Sequence, residues 1–237
     1  MRTTAIGIVA AISVGLAGCA AMEDVDLGTV LGGAGPLDEA TVARGLKEAL
    51  SVGTGRAVGQ VGRLDGYLAD AALKIVLPRE LQDVAGTLRS AGLGSKIDEL
   101  EVAMNRAAEQ AAGEAVTVFG DAIRGMTLAD AWGILRGHDT AVTDYFRQRT
   151  GVALAARYRP IVESRLRAVG GYGLYETLVA QLESLPFVDP PDLDLVGYVT
   201  DRALGGLFTV LAREEQRIRQ DPLARTTALL QRVFAAQ

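Results

Sequence analysis

The sequence predicts an all-α protein, a single multi-helix bundle of roughly eight to ten helices behind a cleaved lipoprotein signal peptide. Three observations carry this reading. Beyond residue 38, apolar residues recur at three- and four-residue spacing, the period of a helix with one buried face. No segment shows the persuasive two-residue alternation of a half-buried sheet. The glycines and prolines fall largely where the helical pattern stops and restarts.

The opening segment reads as an address. Arg2 precedes thirteen uncharged residues, AIGIVAAISVGLA over 5–17. That is a positive n-region followed by an apolar h-region. Leu16-Ala17-Gly18-Cys19 resembles the bacterial lipobox, in which cleavage before the cysteine is accompanied by acylation, so Cys19 is the expected lipid attachment site. Cys19 is the only cysteine, which excludes an internal disulfide and a multi-cysteine metal cluster. Two rival readings of residues 5–22 are an uncleaved span, since 18 uncharged residues sit at the threshold length, and a buried core helix. Residues 20–21 are Ala-Ala rather than an aspartate-bearing pair, which resembles the outer-membrane class of lipoproteins. The domain layout expected is a signal peptide over 1–18, a lipidated, Gly-rich tether over 19–37 and a helical domain over 38–237. A tether of that length spans roughly 20–25 Å.

Within the domain, Ile97, Leu100, Met104, Ala108, Ala111, Ala115, Val118, Ala122 and Met126 follow one stripe for some thirty residues, which Gly113 and Gly120 can bend or split. Ser95 is the expected cap of this helix, with Asp98 three residues on. Thr127 caps the next helix, Gly137 ends it, and Asp139 restarts the chain. Pro160 predicts a kink or a new start. Gly170, Gly171 and Gly173 form a break, and LPFVDPPDLD over 185–194 is a loop. A long helix follows from about Leu195 to Arg219, and Asp221-Pro222 opens a final one. Leu73–Leu77, before Pro78, is the best strand candidate, and reads better as a short extended link. RAVGQVGRLDGYL at 56–68 echoes RAVGGYGLYETL at 167–178, which repeated helix-stop chemistry explains as well as duplication does.

The chain carries 24 basic and 29 acidic residues, a net charge of −5 that becomes −6 once Arg2 leaves with the signal peptide. A nucleic-acid partner held by phosphate contacts is therefore not expected. Only Lys47, Lys74 and Lys96 are lysines.

Several strings now coincide: GLKEAL (45–50), VGTGRAVGQVGRLDGYL (52–68), MNRAAEQAA (104–112), DAIRGMTLADAWGIL (121–135), YVTDRALGGLF (198–208) and RIRQDPLARTTALLQRVF (217–234). Together they resemble a bacterial family known as domain of unknown function 4197, over about residues 38–236. The resemblance implies a mostly helical domain and export to the envelope. It implies no activity, cofactor or catalytic residue.

Each candidate site has a bland alternative. His138, the only histidine, stands beside Asp139, but adjacent side chains seldom converge and no nucleophile is evident, so helix-end capping is preferred. GTGRAVGQVG (53–62) lacks both the Gly-Lys-Ser/Thr of a phosphate loop and a preceding strand, so close helix packing and a turn are preferred. Asp189, Asp192 and Asp194 lack calcium-loop spacing and read as a solvated acidic loop. Arg147, Arg149, Arg157, Arg159, Arg165 and Arg167 form a basic segment opposed locally by Glu163 alone. It could meet lipid headgroups, lipopolysaccharide phosphate or an acidic partner, or pair internally with the acidic 183–201 segment. Glu215 and Arg219 read as an ordinary surface pair. Asn105, Arg106, Asp121 and Asp201 lie in apolar helical stretches and could line a polar pocket, but the period puts Asn105 and Arg106 beside the stripe, so an exposed shoulder is preferred.

No catalytic, cofactor or metal set emerges. The expectation is a non-enzymatic protein anchored to the membrane through lipid on Cys19. It is expected to face the periplasm from the outer membrane and to act in envelope organisation or in binding another envelope component. The alternative is a carrier or sensor of an apolar or lipid ligand held within the bundle.

Overall fold

The computed structural model describes residues 38–183 and 194–221, and every element among them is helical. The signal peptide, Cys19, the tether, Asp189, Asp192 and the helix expected beyond Pro222 lie outside these residues.

Helix α1 spans Glu39–Gly62, and its first turn is capped by Asp38, whose Oδ1 accepts the Thr41 N–H at 2.6 Å. It runs straight through Gly53, Gly55 and Gly59, because its apolar face, including Leu46, Leu50, Ala57 and Val61, is buried. Packing of that face outweighs the loss of about 1 kcal/mol that each interior glycine costs a helix. After α1 the chain turns through Asp65, which holds φ +62°. A side chain at the following residue, Gly66, would meet the carbonyl oxygens of Gln60 and Val61 at 2.5 Å, so only glycine fits there. Residues 74–78 then run extended, without a partner strand.

Two single turns, α2 (Arg79–Gln82) and α3 (Ala85–Leu88), lead through a turn at Arg89–Leu93, kinked at Gly92 with φ +85°, into α4, Gly94–Ala111. The long stripe breaks at Gly113, and α5 covers Glu114–Arg124 with Gly120 inside it. Ser95 does not cap α4. The helix starts one residue earlier, with Leu93 at its cap position and no side-chain cap bond. Asp98 pairs with Arg89 at 2.7 Å instead.

Helix α6, Leu128–Leu135, opens on a reciprocal capping box: the Asp130 N–H donates to Thr127 Oγ1 at 3.1 Å, and the Thr127 N–H to Asp130 Oδ2 at 3.0 Å. Helix α7, Ala141–Ala168, is a single 28-residue helix that contains Pro160. Pro160 lies on the exposed side, where the carbonyl it leaves unpaired can be hydrated. Gly170, at φ +71°, ends this region, α8 spans Gly171–Glu183, and α9 spans Leu195–Gln220.

The described residues thus hold seven helices of two or more turns, fewer than the eight to ten expected. The count falls because neither the glycines of α1 nor Pro160 of α7 ends a helix whose buried stripe continues past it.

Helix α7 is central. Its buried residues Val142, Phe146, Thr150, Leu154, Tyr158, Val162 and Leu166 repeat every four positions, and the helix packs against α4, α5, α6, α8 and α9. Phe146 stacks on Phe119 of α5 with ring centroids 4.9 Å apart, and Phe119 reaches Phe208 of α9 at 6.3 Å. Helix α1 closes the other side against α9, α5 and α6. Helix α9 is long and apolar enough to cross a bilayer, yet 61% of its most apolar window is buried inside the domain, as befits a core helix.

Candidate functional site

Several buried polar groups are committed to the backbone, while Thr200 Oγ1 and Glu214 Oε2 have no hydrogen-bond partner among the described residues. Asn105, expected on an exposed shoulder, is fully buried in α4. Its Oδ1 accepts the Ile75 N–H at 2.9 Å and its Nδ2 donates to the Ile75 carbonyl at 2.8 Å. One side-chain amide therefore does for the extended link what a neighbouring strand would do. Tyr198 adds its hydroxyl to the carbonyl of Val76 at 2.9 Å. This side-chain pairing is why Leu73–Leu77 can be extended without belonging to a sheet.

Arg106 and Glu109 clamp the turn after α1. Arg106 donates to Asp65 and to Glu109, each at 2.6 Å, while the buried Glu109 accepts the Tyr67 N–H at 3.2 Å. The Tyr67 ring lies over Gly206 of α9, and its hydroxyl donates to the Ala203 carbonyl at 2.6 Å. Burial pushes the Tyr67 phenol well above its ordinary value, so it remains a donor.

Glu215 and Arg219 form no surface pair either, since both are folded into the core. Glu215 is 5% exposed and receives the N–H groups of Val142 and Thr143.

His138 is exposed and does not engage Asp139. Its Nε2 lies 3.8 Å from Asp144, and Thr140 Oγ1 lies 3.1 Å from its Nδ1. Thr140 also donates to that same carboxylate at 3.1 Å. The cluster decorates the first turn of α7, where the acidic Asp144 complements the helix dipole. In the 53–62 glycine run, Gly53 and Gly62 pack closely, against Ile218 and Ala112, whereas Gly55 and Gly59 face open space. Asp194, from the acidic loop, caps α9 by accepting the Gly197 N–H at 2.9 Å and pairs with Arg159 at 2.6 Å. The backbone bond first, and the guanidinium next, hold its carboxyl below the usual range.

Two open grooves lie beside α7. On one side a groove of about 320 Å³ is lined by Asp121, Tyr145, Arg149, Thr150 and Arg157. Its cations already have carboxylates: Arg149 faces Asp130 at 3.8 Å and Arg157 faces Glu114 at 3.3 Å. Asp121 pairs with Arg124. On the other side a groove of about 360 Å³ is lined by Lys74, Arg147, Asp201, Arg202, Gly205 and Thr209. Here Arg147 lies over the Phe208 ring at 5.1 Å and Arg202 over the Tyr198 ring at 5.7 Å. The basic segment is thus split: Arg149, Arg157, Arg159 and Arg167 each face an acid, and Arg147 turns into a groove. Lys74 and Arg202 escaped the sequence reading. Lys74 reaches the groove only because the link packs against α9, whereas the one-turn spacing of Tyr198 and Arg202 is a signal the sequence does contain.

An apolar cavity between α1, α6 and α9 measures about 30 Å³, room for a water-sized guest. A third open groove, about 420 Å³, runs between α4 and α8 past the exposed Val102 and Val169. Among the described residues, no three His, Cys, Asp or Glu side chains gather as a metal set.

The family model described as "Protein of unknown function (DUF4197)" matches residues 36–235. No curated protein and no solved structure matches the chain.

Proposed function

For a chain that belongs to this family of unknown function, we propose a lipid-anchored, periplasm-facing role as a non-enzymatic binding component of the bacterial envelope. The anchor rests on the LAGC tetrad at 16–19, which holds the only cysteine. The binding role rests on one observation: among the described residues, open grooves of about 320, 360 and 420 Å³ have room for a partner, while the apolar hollow between α1, α6 and α9 measures about 30 Å³. Ligand sites for apolar molecules run to several hundred Å³ and enclose most of the guest. The carrier reading therefore has less support than recognition at the surface.

The test is purification of the full chain from solubilised envelopes, with mass spectrometry of co-purified proteins and extracted lipids. A recurrent protein, or a ligand bound at the surface, supports the reading. A stoichiometric apolar lipid that survives delipidation of the surface overturns it in favour of the carrier. Separately, Cys19→Ser should abolish labelling by a fatty-acid probe and release the chain from membranes. Labelling that survives the substitution overturns the anchor.

A further inference from the structure

We propose that the groove between the 72–74 link, α7 and α9 is an anion site that takes a phosphate group, through Arg147 and Arg202 with Lys74 beside them. The inference deepens the binding reading above and rests on it.

Three features support the assignment. First, the lining carries three cations, Lys74, Arg147 and Arg202, against one carboxylate, Asp201. Lys74 is itself partly neutralised by Glu101 at 2.9 Å. The arginines are not: among the described residues neither Arg147 nor Arg202 has a carboxylate within 4.0 Å or donates a hydrogen bond. This distinguishes them from Arg149, Arg157, Arg159 and Arg167 on the same surface.

Second, both guanidiniums are positioned by aromatic rings. Phe208 is buried beneath Arg147, and Tyr198 is tied to the link through its hydroxyl. At 5.1 and 5.7 Å from the ring centroids these are cation–π distances, which hold each guanidinium by its ring without using its N–H groups as donors. Two such forks, from two helices, suit a tetrahedral group with several acceptor oxygens better than a single carboxylate.

Third, the floor is bare. Gly205 lines the groove, and a side-chain carbon built there would meet nothing within 4 Å except the space of the groove itself. The neighbouring Gly206 is explained by Tyr67, which occupies its other side.

The phosphate could be free or could belong to a lipid headgroup, and the test separates these. The full chain in non-ionic detergent is titrated calorimetrically, at constant ionic strength, with inorganic phosphate and with dihexanoyl phosphatidic acid. Dihexanoyl phosphatidylcholine serves as the neutral control. Binding of either phosphate probe is expected, with Arg202→Gln and Arg147→Gln each weakening it about tenfold, the size of one lost charge-assisted contact. Arg165→Gln, an exposed arginine of α7 outside the groove lining, should change it less than about twofold.

Circular dichroism melts identify any variant that fails to fold. Arg202 covers no core ring, so its variant carries the test if Arg147→Gln unfolds. Tighter binding of phosphatidic acid than of phosphate assigns the site to a headgroup, and the reverse assigns it to a free anion. No binding by the wild-type chain, or equal loss in all three arginine variants, overturns the site. If the groove variants still co-purify the same envelope partner as wild type, the groove fails while the broader binding reading stands.

Discussion

Glu215 and Arg219, one turn apart on α9, hold the junction between α6 and α7 together. Glu215 takes the N–H groups of Val142 and Thr143, the orphan donors of the first turn of α7, at 2.9 and 3.0 Å. Arg219 donates to Glu215 at 3.0 Å and to the Ile134 carbonyl near the end of α6 at 3.0 Å. One helix thereby caps the end of a second and the start of a third, and the pair is fixed by neither sequence neighbour.

Glu215→Ala leaves two backbone donors buried without their acceptor and takes the carboxylate away from Arg219. It is expected to destabilise the domain by about 3–5 kcal/mol, the cost of breaking a buried pair. A surface pair at the same spacing contributes about 0.5 kcal/mol. Urea denaturation decides between the two. A loss below about 1 kcal/mol would contradict the buried geometry.

Asn105→Ala should cost about 2–4 kcal/mol, because both polar groups of Ile75 lose their partner where water cannot replace it. The change should also speed hydrogen exchange at the Ile75 amide more than at amides in mid-α7. Uniform acceleration across both would show that Asn105 supports the whole core rather than the link.

The glycines make opposite predictions according to what faces them. A side chain at Gly206 would come within 2.5 Å of Tyr67 Cε1, so Gly206→Ala should displace the ring and cost about 1–3 kcal/mol. Tyr67→Phe removes only the bond to Ala203 and should cost about 1 kcal/mol. Gly55→Ala and Gly59→Ala, which face open space in α1, should each stabilise by about 0.5–1 kcal/mol. Thermal melts of the four variants test the ranking.

Asp194 supplies a pH signature. Its folded pKa lies below the ordinary 3.8, chiefly because the Gly197 N–H bonds the carboxylate and then because Arg159 does. The stability it confers is therefore fully present above the unfolded value and is lost as pH falls through the lower folded one. The stability gap between wild type and Asp194→Ala should be flat from neutral pH to about 5 and narrow below pH 4. A gap that instead grows on acidification would mean that the protonated carboxyl makes the cap.

How much was legible can be judged from particular elements. Thr127 and Asp130 announced α6 because a capping box is local: both partners lie within three residues and their chemistry is self-contained. The break at Gly113 was visible for the same reason. Ser95 misled because the kink at Gly92, φ +85°, lets α4 begin at Gly94, which leaves the serine inside the first turn rather than at the cap position. Asn105 and Glu215 were placed outside because periodicity averages over a helix face. It carries no information on which polar residue on that face meets a backbone from elsewhere in the chain.

The sequence by itself determined the helical class, most helix boundaries, the family and the LAGC tetrad with its one cysteine, because each is written within a few residues or in a repeating period. Only the tertiary structure decided that one amide replaces a strand, that one ion pair caps two helices, and that Lys74, Arg147 and Arg202 share a groove. Those relationships join residues separated by 30 to more than 120 positions, and the distance between such residues is set by how the helices pack, which no local pattern encodes.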